Sequence, residues 1–119
     1  MNNPNLHEEI TQLHAELCSA LAEPSRILIL YALSVKPSFV NDLATEVRLS
    51  QPATSRHLKI LRESGLVRAE RQGSSVEYSL TDRRLIEALN LLRAVLLNRI
   101  AYRADLMETE LADADQTDQ

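Results

Sequence analysis

Side chains suited to reading base edges are concentrated in one short segment, Ser50-Gln-Pro-Ala-Thr-Ser-Arg-His57. Duplex readout needs donors that reach base edges from the exposed N-terminal part of a helix, surrounded by cations and small hydroxyls that hold phosphates. Gln51, Thr54, Ser55, Arg56 and His57 stand in that position. A glutamine can bridge adenine N6 and N7, and an arginine can fork onto guanine O6 and N7. Ser50 or Ser55, together with free amides of the helix N-terminus, can take a phosphate. Lys59 and Arg62 continue the same polar, basic face. Such a stripe is equally the solvated side of any helix, so the segment alone leaves both readings open.

Two other constellations have chemistry-bearing spacing. His14 and Cys18 are four apart and share a helix face, with His7 two turns before His14. Two copies of such a face in a dimer could hold a transition metal, whereas a lone cysteine also serves as a small buried apolar residue and the histidines as surface or interface residues. Cys18 has no resolving cysteine in its own chain for a redox switch. Ser55, His57 and an acid such as Asp42 contain the residue types of a hydrolase. Ser55 and His57 are two apart, however, and point in different directions on a helix. With no phosphate loop or paired-carboxylate cleft either, the chain is not expected to be an enzyme.

Charge distribution discriminates further. The 119 residues carry 13 Lys+Arg and 17 Asp+Glu, a net −4 that at face value disfavours a polyanionic partner. The charge is not spread evenly. Residues 1–47 hold two cations against six acids and residues 85–119 three against seven, each −4, whereas residues 48–84 hold eight against four, or +4. Arg48, Arg56, Lys59, Arg62, Arg68, Arg71, Arg83 and Arg84 supply that basic middle. Acidic flanks around a basic strip limit non-specific binding and orient the molecule on DNA.

The elements that must position these residues follow from periodicity. Leu6, Ile10, Leu13, Leu17 and Leu21 recur at steps of three and four, predicting a first helix from about Leu6 to Ala22. Pro24 suits the first turn of a second helix ending near Ser34. Phe39 is a possible one-residue strand contact, and Ser38 or Asn41 a possible cap for a short third helix carrying Leu43, Ala44 and Val47. The fourth helix, the one with the readout residues, has an N-cap candidate in Ser50, Pro52 in its first turn and Gly65 as a left-handed C-terminal residue. Leu58 and Leu61, with Ala53 or Thr54 one turn earlier, give it a narrow apolar side. Alternation around Gln72-Gly-Ser-Ser75 then predicts a β-hairpin, placing Arg71 beside the Gly73 turn where it can enter a minor groove or clamp a phosphate. Thr81 and Asp82 are cap candidates for a last helix of roughly 25 residues at 1.5 Å each. Its two apolar stripes, one through Leu85, Leu89, Leu92, Leu96 and Ile100 and one through Leu91, Val95, Tyr102 and Leu106, imply one intramolecular partner and one in a dimer. Three helices, a basic-faced helix, a hairpin and a long helix make a winged helix-turn-helix, mainly α with a β-hairpin wing. It is expected as one domain over residues 1–111, followed by a disordered acidic tail over 112–119.

The segments Leu21-Ala-Glu-Pro-Ser-Arg-Ile-Leu, Ser50-Gln-Pro-Ala-Thr-Ser-Arg-His-Leu-Lys and Arg71-Gln-Gly-Ser-Ser-Val-Glu-Tyr resemble those of the ArsR/SmtB winged-helix repressors, over about residues 6–106. The resemblance implies a homodimer, joined through the first and last helices, on a palindromic operator and released by an inducer. Metal-sensing members carry a cysteine pair at the start of the third helix. Here that stretch is Phe39-Val40-Asn41-Asp42, which offers no thiolate. Others use Asp and His pairs on the last helix, where this chain has no histidine and only Asp105 with Glu108, a hard oxygen pair. No resident cofactor is therefore expected, and the inducer is open.

The remaining composition closes off other classes. No apolar run approaches the ~20 residues of a membrane span, and the first ten residues are polar and acidic, unlike a signal peptide. A single cysteine excludes an intrachain disulfide and suits a reducing cytoplasm. The competing reading is a winged-helix module that binds protein and not DNA; it predicts that Arg56→Ala and Gln51→Ala leave partner binding intact.

Overall fold

A computed structural model describes residues 6–117. The chain divides into two compact units, Met1–Arg83 and Arg84–Gln119.

The first unit begins with α1, Leu6–Ala20, whose middle turns Glu9–His14 are π-helical between α-helical Leu6–Glu8 and Ala15–Ala20. The Thr11 hydroxyl donates to the carbonyls of His7 and Glu8 at 2.9 and 3.2 Å, inside the loosened turn. Helix α2, Pro24–Val35, starts where Glu23 turns extended and its carboxylate accepts the Ser25 amide, with proline in the first turn. Strand β1, Ser38–Phe39, confirms the contact expected of Phe39. Neither expected cap is used by α3, Val40–Val47: its N-cap is Phe39, without a side-chain bond. It ends at Arg48, whose φ of 60° places a non-glycine residue in the left-handed region.

Helix α4, Gln51–Glu63, has the predicted punctuation. Ser50 accepts the Ala53 amide on its side-chain oxygen at 3.2 Å, and Gly65 follows with φ of 77°. Strands β2, Val67–Gln72, and β3, Ser75–Leu80, pair antiparallel from Val67 opposite Leu80 to Gln72 opposite Ser75. The two-residue turn has Gly73 at its first central position with φ of 66°, the arrangement that matches strand twist in a tight hairpin. β1 adds to β3 through Ser38–Tyr78 and Phe39–Glu77, giving the sheet order β1-β3-β2.

The core of this unit consists of aliphatic residues drawn from every layer. Ile29 and Leu30 of α2, Leu43 of α3, Leu58 and Leu61 of α4 and Val67 of β2 are essentially inaccessible to water. Fixing α4 by only two leucines and one threonine leaves most of its circumference free.

The second unit is α5, Arg84–Thr117, 34 residues long. The helix is longer than predicted and takes in residues 112–117, where a disordered tail was expected; residues 118–119 lie outside the described set. The Thr81 hydroxyl, a cap candidate in the sequence, donates to the Gly65 carbonyl at 2.7 Å and closes the start of the hairpin. Leu91, Val95, Leu97 and Ile100 are exposed along its length.

Candidate nucleic-acid interface

The predicted readout residues separate into two groups according to where the core lies. Thr54, Leu58 and Leu61 fall at i, i+4 and i+7 and form the buried side of α4. Thr54 is fully buried, and its hydroxyl donates to the Ser50 carbonyl at 2.9 Å. It is therefore removed from the set of base-contacting residues, because a buried hydroxyl already satisfied by the preceding turn cannot reach a base edge. The His57 ring is half-buried, and its Nδ1 lies 3.4 Å from Arg26 Nη1, so this edge of the ring is turned toward α2.

Ser50, Gln51, Ser55, Arg56, Lys59 and Arg62 are exposed. Ser50 has a prior task in holding the Ala53 amide. The other five surround the free side of α4 with an amide, a hydroxyl and three cations, the mixture that base readout and phosphate contact require.

The wing presents the remaining cations. Arg68 and Arg71 are exposed on β2, Arg68 on the face opposite buried Val67 and half-buried Ala69 and Arg71 at the wing end of their own face. At Gly73 an added Cβ would meet nothing within 4 Å, so glycine is needed there for its backbone angle and not for clearance. Between the wing tip and the start of α4 lies a cleft of about 300 Å³ lined by Phe39, Val40, Val76 and Tyr78. Asn41, Gln51 and Ser55 line it from α3 and α4, and Ser74 and Ser75 from the hairpin. Sequence reading missed Asn41, Ser74 and Ser75, since only the pairing of β1 with β3 brings residue 41 beside the hairpin.

Arg26 was missed as well. Its guanidinium donates to the carbonyls of Ala20 and Ser19 at 2.6 and 3.2 Å and to His57, joining the end of α1 to α4. A lone arginine in an apolar helix was the available signal.

Residues 23–69 match the model of a family described as bacterial regulatory protein, arsR family. The chain is 37% identical over 99 residues to the HTH-type transcriptional regulator NmtR of Mycobacterium tuberculosis, covering 83% of this chain and 76% of that one. The chain belongs to the arsR family. It is also 43% identical over 84 residues, 71% of its length, to the transcriptional repressor SmtB homolog of Synechocystis, of whose length it spans 61%. Among solved structures, Rv0081 of Mycobacterium tuberculosis superposes with a TM-score of 0.72 at 33% identity, over 80% of this chain and 96% of that one. These relatives are named as regulators, not enzymes, and the arrangement of α3, α4 and the β2–β3 wing is the family's winged helix-turn-helix.

The catalytic and metal-ligating alternatives fare differently in an arsR-family frame. Ser55 faces the wing cleft, His57 is engaged by Arg26, and Asp42 lines a separate cleft with Lys36 and Glu46, so no nucleophile–base–acid set converges. His7, His14 and Cys18 on α1 are exposed, as are Asp105 and Glu108 on α5. Among the described residues, no group of three or more His, Cys, Asp or Glu within the chain is placed to hold a metal ion. The stretch Phe39-Val40-Asn41-Asp42 offers no thiolate.

Proposed function

We propose that the protein is a homodimeric transcriptional repressor of the cytoplasm that occupies a palindromic operator with two copies of α4 and its wing, and leaves it when an inducer binds. The observation that carries this reading is the confinement of positive charge to the DNA-facing elements. Residues 48–84 are +4 between segments of −4, and Arg56, Lys59, Arg62, Arg68 and Arg71 within them are exposed. In this reading Gln51, Ser55 and Arg56 read base edges in the major groove, and Arg68 and Arg71 reach phosphates or the minor groove beside it.

Dimerisation is supported by apolar side chains with nothing over them in one chain. Leu6, Ile10 and Leu13 on α1 and Leu91, Val95 and Ile100 on α5 are all exposed. Two copies related by a two-fold axis put their recognition helices one or more helical turns apart, multiples of about 34 Å, which is the geometric origin of a palindrome. No single helix is long and apolar enough to cross a membrane.

Fluorescence anisotropy with the chain's own promoter DNA, across a salt series, tests the reading. The operator is expected to bind at least ~10³-fold more tightly than random DNA, with affinity falling steeply as salt rises. Absent or salt-insensitive binding would overturn it. The same titration with divalent metals, and with an oxidant on wild type and Cys18→Ser, reads the inducer class.

A further inference from the structure

We infer that the cleft between the first turn of α4 and the wing tip seats one backbone phosphate of bound DNA in each half-site, and that it holds this phosphate with uncharged donors. The inference rests on the DNA-binding reading and specifies how the helix and the wing are set on one strand.

When a helix lies in the major groove and its wing reaches the adjacent minor groove, the sugar–phosphate strand dividing those grooves has to pass between the two elements. Between α4 and the wing this chain has a cleft of about 300 Å³, open to solvent. Its polar lining carries no charged side chain: Asn41, Gln51 and Ser55 from α3 and α4, and Ser74, Ser75 and the Tyr78 phenol from the hairpin. Asn41, Ser74 and Ser75 are exposed, so their N–H and O–H groups are available to a phosphate oxygen. The cations lie outside it, Arg56 and Lys59 farther along α4 and Arg68 and Arg71 on β2, and none lines the cleft.

The two sides are held at a fixed spacing by the fold. Phe39 is both the strand residue opposite Glu77 and the N-cap of α3, so Asn41 follows the sheet edge directly and cannot shift independently of the wing. Gly73 sets the turn that presents Ser74 and Ser75. Neutral donors and cations make different contributions to affinity. A cation that neutralises a phosphate releases counterions and steepens the salt dependence, while a hydroxyl or amide adds hydrogen bonds with no ion to release. Asn41, Ser74 and Ser75 are thus positioning residues that fix register without adding salt-sensitive, non-specific affinity.

The test pairs an Asn41→Ala/Ser74→Ala/Ser75→Ala variant with operator duplexes carrying a single methylphosphonate, moved one linkage at a time. All three substitutions are at exposed positions, and an unchanged thermal midpoint verifies the fold. The variant is expected to bind unmodified operator about 10-fold more weakly, with the same slope of log affinity against log salt as wild type. At one linkage per half-site the methylphosphonate should weaken wild type by about 10-fold and the variant by no more than about twofold, the signature of a shared contact. Ser75→Asp, which sets a carboxylate against the phosphate, should lose more than the triple variant. Wild-type affinity in the triple variant, or a full additional loss at every linkage, overturns the inference while leaving the DNA reading intact. Failure of wild type to bind any promoter DNA with salt dependence removes both.

Discussion

Arg26 Nη1 donates to His57 Nδ1 at 3.4 Å, across 31 residues of sequence, while the same guanidinium donates to the Ala20 and Ser19 carbonyls. Because arginine only donates, that ring nitrogen is the acceptor of the pair. One planar group thereby bonds the Ala20 carbonyl at the end of α1, shares the Ser19 carbonyl with the Ala22 amide, and orients a side chain of α4. Arg26→Ala is expected to cost about 2 kcal/mol in urea denaturation, the range for hydrogen bonds to a charged donor. Arg26→Lys should recover less than half, since one ammonium cannot span carbonyls and ring together. A loss below about 0.5 kcal/mol would show that the three bonds add little beyond what water supplies.

Thr54→Val tests the removal of Thr54 from the DNA surface. The valine keeps the shape but deletes the hydroxyl that donates to Ser50, for an expected loss of about 1 kcal/mol. Operator affinity of the folded variant should match wild type. A tenfold drop in affinity at unchanged fold would return Thr54 to the interface.

Arg48→Gly is expected to stabilise the first unit. A non-glycine residue at φ of 60° costs roughly 1–2 kcal/mol, and glycine's added unfolded-state entropy costs about 0.5–1 kcal/mol. The first exceeds the second, so the net gain should be up to about 1 kcal/mol, read as a higher denaturation midpoint. A lower midpoint would mean that the Arg48 side chain supplies more than its backbone costs.

What the sequence disclosed follows from which signals are local. Ser50, Pro52 and Gly65 act through their own backbone angles, so they marked α4 closely, and the period-two alternation from Val67 to Leu80 marked the hairpin. The division of α4 into inner and outer faces is not local. Ala53 and Thr54 were equal candidates for the turn before Leu58, and only the position of Leu43, Ile29 and Val67 in the core decides that Thr54 is the one buried. Residues brought in by tertiary pairing, Asn41 through β1 and Arg26 through its reach to His57, left no periodic trace. The far end of α5 differs from the expectation for a related reason: small acidic residues read as a tail, yet Ala112 and Ala114 are the best of helix formers and the preceding turns of α5 are already in place to propagate.

Dimerisation makes a separate prediction. Leu13 on α1 and Val95 on α5 are 61% and 60% exposed in one chain, so replacing them with aspartate removes little packing from the monomer. If these faces meet a second copy, Leu13→Asp/Val95→Asp buries two charges per chain without partners, a cost of several kcal/mol. Light scattering should then report half the wild-type mass, with operator affinity lost because the two half-sites are no longer engaged together. A variant that retains the dimer mass would place the interface elsewhere on the chain.

The exposed cations can be sorted by how their loss distributes over DNA sequence. Arg68 and Arg71 are exposed on β2 and face a backbone in the proposed complex, so each alanine variant should weaken operator and random DNA alike and reduce the salt slope by about 1. Arg56, exposed near the start of α4 beside Ser55, is placed to fork onto a guanine. Arg56→Ala should therefore cost about 1–3 kcal/mol on operator, little on random DNA, and relax preference at one base pair per half-site. Anisotropy on operator variants substituted at each position separates the two behaviours. Uniform loss for Arg56→Ala would assign it to phosphate and leave Gln51 as the base-reading side chain of that turn.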